Sequence, residues 1–159
     1  MNAVILKTSC VLILSALITS CDKDVKSNWQ TNYEYIKYGT SFNNCIGYCY
    51  NSITISDSII EYEKKGWNIN GNLPDFYSTK TIDHDYWINL QRSINFDCFM
   101  QLDSIIGCPD CADGGAEWIE INTIDKKHKI TFEFGKEPEK VKSLLGYLRT
   151  SLKSIEDIK

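Results

Sequence analysis

Read for the alternation of apolar and polar positions, the chain predicts two strand pairs with a helix between them and another after them. Asn51 to Ser56 alternates polar residues with Ile53 and Ile55, and Ser58 to Tyr62 carries Ile59, Ile60 and Tyr62, with Ser56 and Asp57 as the turn. Apolar residues at every second position mark a strand with one buried face, so these runs predict an antiparallel hairpin. Phe76 to Ile82 predicts a further strand, after a turn at Asn70, Gly71 and Asn72 and a Pro74 that no central strand position would tolerate.

At Asp83 the period changes from two to between three and four. Tyr86, Trp87, Leu90 and Ile94 recur at helical spacing, predicting an amphipathic helix over 84–95 with Asp83 as its N-cap and Asp85 near the positive end of its dipole. FDCFMQLDSII, residues 96–106, is apolar but irregular and is expected to pack this helix onto the strands.

Alternation then returns. Ala116 to Thr123 places Trp118 on the face opposite Ile119 and Ile121; Asp125 to Lys127 make a charged turn; Ile130, Phe132 and Phe134 alternate with Thr131 and Glu133, which predicts a second hairpin. Gly135 ends it and Pro138 suits the first turn of a helix. Val141, Leu144, Leu145, Leu148, Leu152 and Ile155 share one stripe, predicting a C-terminal helix of four or five turns. The order ββ(β)αββα predicts an α+β fold, an antiparallel sheet built from two hairpins with two helices packed on one face, and excludes a parallel doubly wound sheet.

The N-terminus reads differently. Lys7 supplies a positive n-region, and VLILSALI, residues 11–18, an apolar run too short to span a bilayer. Leu17, Ile18, Thr19, Ser20 and Cys21 resemble a bacterial lipobox, in which an aliphatic residue and two small ones direct cleavage before an invariant cysteine that is then acylated. The resemblance implies a lipoprotein signal peptide over 1–20, a mature N-terminus at Cys21, and a lipid bilayer as partner on the extracytoplasmic side, at an outer membrane or cell surface. One acyl chain holds only marginally, at about 0.8 kcal/mol per buried methylene, whereas the two or three that such lipoproteins carry hold stably. Asp22, Lys23 and Asp24 resemble part of the acidic, lysine-led export signal of some Bacteroidetes lipoproteins, with Val25 where a further acidic residue would stand. Residues 21–32 are polar and read as a flexible tether, which leaves 33–159 as a single domain.

Charge narrows the partners. Lys7 is the sole charged residue of 1–20, so of the 17 basic residues sixteen face 21 acidic ones in the mature chain. With no basic stripe, nucleic acid is excluded as the expected partner.

Five cysteines remain in the domain: Cys45, Cys49, Cys98, Cys108 and Cys111. In an oxidising compartment disulfides are the default. Two bridges and one free thiol permit fifteen connectivities. Local pairing, Cys45 with Cys49 and Cys108 with Cys111, is favoured by the glycine and proline beside each pair. Cross-linking the two groups instead would close loops of about sixty residues and stabilise by roughly 4 kcal/mol. Cys98, among Phe96, Phe99 and Met100, reads as a buried free thiol.

Cys45, Gly47 and Cys49 form a C-x-G-x-C that opens the first strand. Followed by an alternating strand and an acidic turn, it resembles the start of a domain found in secreted and lipid-anchored bacterial proteins of unknown function. Tyr50 and Asn51 depart from the proline that often follows the second cysteine in that family.

The densest chemistry lies in IGCPDCADGGAEWIEI, residues 106–121. Four thiolates from the two cysteine pairs could hold a structural zinc, and Cys108 to Cys111 has redox-motif spacing, although a strand rather than a helix follows it. Asp110, Asp113 and Glu117 lack the ligand spacing of a calcium loop and read as a solvated turn, with Gly114 and Gly115 in conformations other residues avoid. His84 and His128 both read as exposed. With no nucleophile elbow and no motif-placed carboxylate pair, the reading is a binding or structural module without cofactor, metal or catalytic residues. An enzyme or thiol/metal protein using the Cys108 to Glu117 loop is the alternative.

Overall fold

The structure, a computed structural model, describes residues 31–67 and 73–156. The signal peptide, Cys21, the tether as far as residue 30 and the turn at Asn70, Gly71 and Asn72 lie outside the described residues.

Both expected hairpins form. β2 (Tyr48–Ile55) pairs with β3 (Ile59–Gly66), and β6 (Ala116–Thr123) pairs with β7 (Lys127–Glu133). Between the hairpins lies β1 (Tyr33–Ser41), to which the sequence reading assigned no strand, hydrogen-bonded antiparallel to β2 on one side and β6 on the other. With β4 (Phe76–Thr81) and the two-residue β5 (Ile105–Ile106), the sheet has seven strands in the order β4-β3-β2-β1-β6-β7-β5. The fold is α+β, but the expected sheet of two hairpins is corrected on two counts: a central strand bridges them, and β5 runs parallel to β7, making the sheet mixed. β1 escaped notice because YEYIKYGTS has one aliphatic residue, and tyrosines fall on both of its faces.

Register decides the faces. Ile36 stands opposite Ile55 and Ile121, and Tyr38 opposite Ile53 and Ile119, so β1 lays Ile36 and Tyr38 into one apolar layer. That layer continues through Ile60, Tyr62, Ile130 and Phe132 and is closed by the helices. α1 (His84–Arg92) buries Trp87 and Leu90, α2 (Phe96–Met100) buries Phe99, and α3 (Lys142–Glu156) buries Leu144, Leu145, Leu148 and Ile155. Each fully buried isoleucine or leucine here is worth about 2 kcal/mol relative to exposure.

The helix ends follow local rules. Asp83 caps α1, accepting from the Tyr86 N–H at 2.7 Å. The predicted 84–95 helix stops earlier, at Arg92, where the Ser93 hydroxyl donates to the Leu90 carbonyl at 2.6 Å. Asn95 then caps α2, accepting from the Cys98 N–H, so the irregular run holds a short helix of its own. Pro138 leads into a 3₁₀ turn over Glu139–Val141 before α3 begins. Among the described residues no helix is long and apolar enough to cross a membrane.

Candidate functional site

The cysteines pair locally. Cys45 bonds Cys49, with Cα atoms 5.6 Å apart, and Cys108 bonds Cys111, at 5.5 Å. Cys98 is buried as expected but is disulfide-bonded too, which corrects the free-thiol reading.

The topology places the first two bridges together. Cys45–Cys49 lies in the β1–β2 connection, Cys108–Cys111 precedes β6, and β1 is hydrogen-bonded to both β2 and β6. Their loops touch: the Asn44 side-chain amide donates to Asp113 at 3.2 Å, and the Asn43 N–H points to Asp110 Oδ1 at 3.5 Å. Phe42 packs edge-on against Phe134, with ring centroids 5.0 Å apart. The same ring covers Gly115, where any Cβ would collide with it, and Gly115 has φ +80°.

The two staples differ in burial. Cys49 is fully buried, whereas Cys108 and Cys111 are both exposed. Asp110, Ala112 and Asp113 hold φ of 61°, 52° and 59°, conformations that cost non-glycine residues on the order of 1 kcal/mol each. The expectation that Gly114 and Gly115 would carry the unusual backbone is thus half right, since Gly114 sits at φ −74°. Hydrogen bonds hold the loop in place: Asp110 Oδ1 accepts from the Gly115 N–H at 3.1 Å, and Glu133 Oε1 accepts from the Cys108 N–H at 3.2 Å. Lys136, with a smaller contribution from Cys108, holds the Glu133 carboxyl below its usual range.

Glu117 does not belong to that solvated turn. It stands on the helix-bearing face, 2 % exposed. There Arg149 Nη2 of α3 donates to both its oxygens, at 3.0 and 2.8 Å, and to Glu137 at 3.2 Å. Burial pushes Glu117 up from the ordinary carboxylate range, against the pull of Arg149. Burial, with Glu117 nearby, also pushes the Tyr38 phenol up to about 12. Both carboxylate oxygens being engaged by one guanidinium, Glu117 ties α3 to β6 just behind the stapled loops. Sequence reasoning missed Arg149 and Glu137; the available signal was that Arg149 directly follows Leu148 and so lies at the rim of the α3 stripe.

The remaining candidates fall apart spatially. His84 is exposed, 3.1 Å from Asp57. His128 is half-buried rather than exposed, its Nε2 2.9 Å from the Leu102 carbonyl and its ring against Phe99. In their bonded form the two cysteine pairs offer no thiolates to zinc, and among the described residues no group of three or more His, Cys, Asp and Glu side chains converges as a metal site. Cys111–Asp113 is a three-residue 3₁₀ turn, not the helix N-terminus that activates a redox cysteine.

No protein-family model matches this chain, and no similar sequence was found among curated proteins.

Proposed function

We propose that the chain is an extracytoplasmic lipoprotein, held to an outer membrane or cell surface through an acylated Cys21, whose domain acts as a binding or structural module. The observation that carries this reading is the pair of local disulfides at one end of the sheet, since such bonds persist in oxidising compartments. The run Leu17 to Cys21 supplies the route there and the anchor. β1 runs from Tyr33 to Ser41, so a chain anchored at residue 21 reaches the domain at the Tyr33 end. The staples then stand at the far end, about 26 Å along the strand at roughly 3.3 Å per residue. That far end leaves Ile46 fully exposed and Trp67 and Phe134 partly so, which supports reading it as the surface offered to a protein partner.

Replacing Cys21 tests the anchor. Cys21→Ser is expected to abolish incorporation of labelled palmitate and to move the protein from the membrane fraction to the soluble extracytoplasmic fraction. Retention in membranes at the wild-type level would overturn the reading.

A further inference from the structure

The face of the sheet turned away from the helices carries a trough. Register sets its side chains in two adjacent rows. Tyr77, Glu63, Ser52, Gly39 and Trp118 make one, and Thr79, Glu61, Thr54, Lys37 and Glu120 the next. Between Tyr77 and Lys37 the rows are low, because the side chains of Ser52 and Thr54 are short; beyond them the Trp118 indole fills the space over Gly39. A depression of about 320 Å³ lies over Ser52 and Thr54, with Tyr77 at one side and Lys37 at the other. From β4 to β1 is three strand spacings, about 14 Å.

The lining defines what fits. Glu61 and Thr79 are exposed and Thr54 is half-buried, so their carboxylate and hydroxyls face the depression, whereas Ser52 is closed in at its floor, 1 % exposed. Such groups bond water until a ligand with matching donors and acceptors displaces it. Charge is balanced: Lys65 sits 2.5 Å from Glu63, and Lys37 stands across from Glu61. Two carboxylates repel a phosphate or an acidic chain, and the lysines weaken the appeal to a polycation. No Val, Leu, Ile or Met side chain lines it, which disfavours an acyl chain. Tyr77, 62 % exposed, offers a flat ring. A sugar chain matches all of this, since it has hydroxyls for the polar groups and an apolar ring face for the tyrosine.

We propose that this trough binds a neutral oligosaccharide, with Tyr77 stacking on one sugar ring and Glu61, Thr54 and Thr79 bonding its hydroxyls. The site goes beyond the anchored-module reading and lies on a different surface from the staples, so its failure leaves that reading standing.

The test is calorimetric titration of the full chain, in a detergent without sugar headgroups, against neutral oligosaccharides of glucose, galactose, mannose, xylose or N-acetylglucosamine. At least one is expected to saturate the protein at about millimolar or tighter affinity. Tyr77→Ala and Glu61→Gln are each expected to weaken it about tenfold or more, while thermal unfolding stays at wild type. Tyr147→Ala, which removes an exposed aromatic on α3, leaves binding unchanged. The proposal is overturned if none of these sugars saturates the protein, or if only acidic sugars or peptides bind. Binding that is indifferent to both trough variants overturns it equally.

Discussion

On the helix-bearing face of the sheet Ile36, Ile53, Ile119 and Phe132 are hidden beneath α1 and α3, whereas on the opposite face Trp118 is almost equally hidden, 5 % exposed, although all three described helices pack elsewhere. Its roof is made of side chains. Lys129 and Lys37 bring their amines to 4.3 and 5.7 Å from its ring centre, and Tyr50 stacks at 6.1 Å. The ammonium groups themselves lie over the indole face, a cation–π arrangement that covers the ring without an overlying element. Beneath it Gly39 leaves room for the ring to lie flat on β1, since a Cβ there would strike the indole and come within 2.7 Å of the Asn51 carbonyl oxygen. One face thus excludes water with whole elements, the other with the mobile ends of its own residues. The first arrangement builds stability; the second leaves a surface that a ligand can reshape.

The largest expected effect separates the faces directly. Leu148→Ala, beneath α3, is expected to cost about 3 kcal/mol, read as a lower urea midpoint at unchanged slope. A loss below about 1 kcal/mol would show that the helix does not seal that face.

Next comes the indole seat. Gly39→Ala is expected to cost about 2 kcal/mol by lifting Trp118 off the sheet. In a Trp118→Ala background the same change should cost less, because only the contact with the Asn51 carbonyl oxygen remains. Equal costs in both backgrounds would mean that Gly39 serves the backbone rather than the ring.

The smallest effect is a difference in sign with pH. On the open face, burial alone would raise Glu120, but bonds from Lys127 and Tyr35 outweigh it and hold the carboxyl below its ordinary 4.5. Its stabilising contribution is present above that value and is lost as pH falls through the depressed one. On the helix face Glu117 is raised above 4.5, so its folded form binds the proton more tightly, and stability falls as pH rises from 4.5 through the raised value. Glu120→Gln should therefore flatten the acid limb of the stability curve and Glu117→Gln the limb just above it. The same change of slope in both variants would erase the distinction between the faces.

Legibility in the sequence followed how local each cause was. The β6–β7 hairpin, the Asp83 cap and the α3 stripe rest on residues within a few positions of one another, and all three were readable. β1 was not, because a central strand is defined by the two strands that bond it. Ile36 gains its meaning from Ile55 and Ile121, which lie far along the chain. Glu117 looked like part of a glycine-rich turn because two residues decide its face, and one step of register moves a side chain from solvent to core. Arg149, 32 positions away, then makes that burial tolerable.

By itself the sequence determined the α+β class, the two hairpins, the helix stripes and the closeness in sequence that lets Cys45 reach Cys49 and Cys108 reach Cys111. These follow from side-chain periodicity and short-range geometry. Only the tertiary structure decided that β1 joins the hairpins into one seven-stranded sheet. It also brought the two staples side by side, buried Glu117 against Arg149, and left Tyr77, Ser52 and Lys37 around a shared trough. Each of these depends on strand order and register, which no local run of residues encodes.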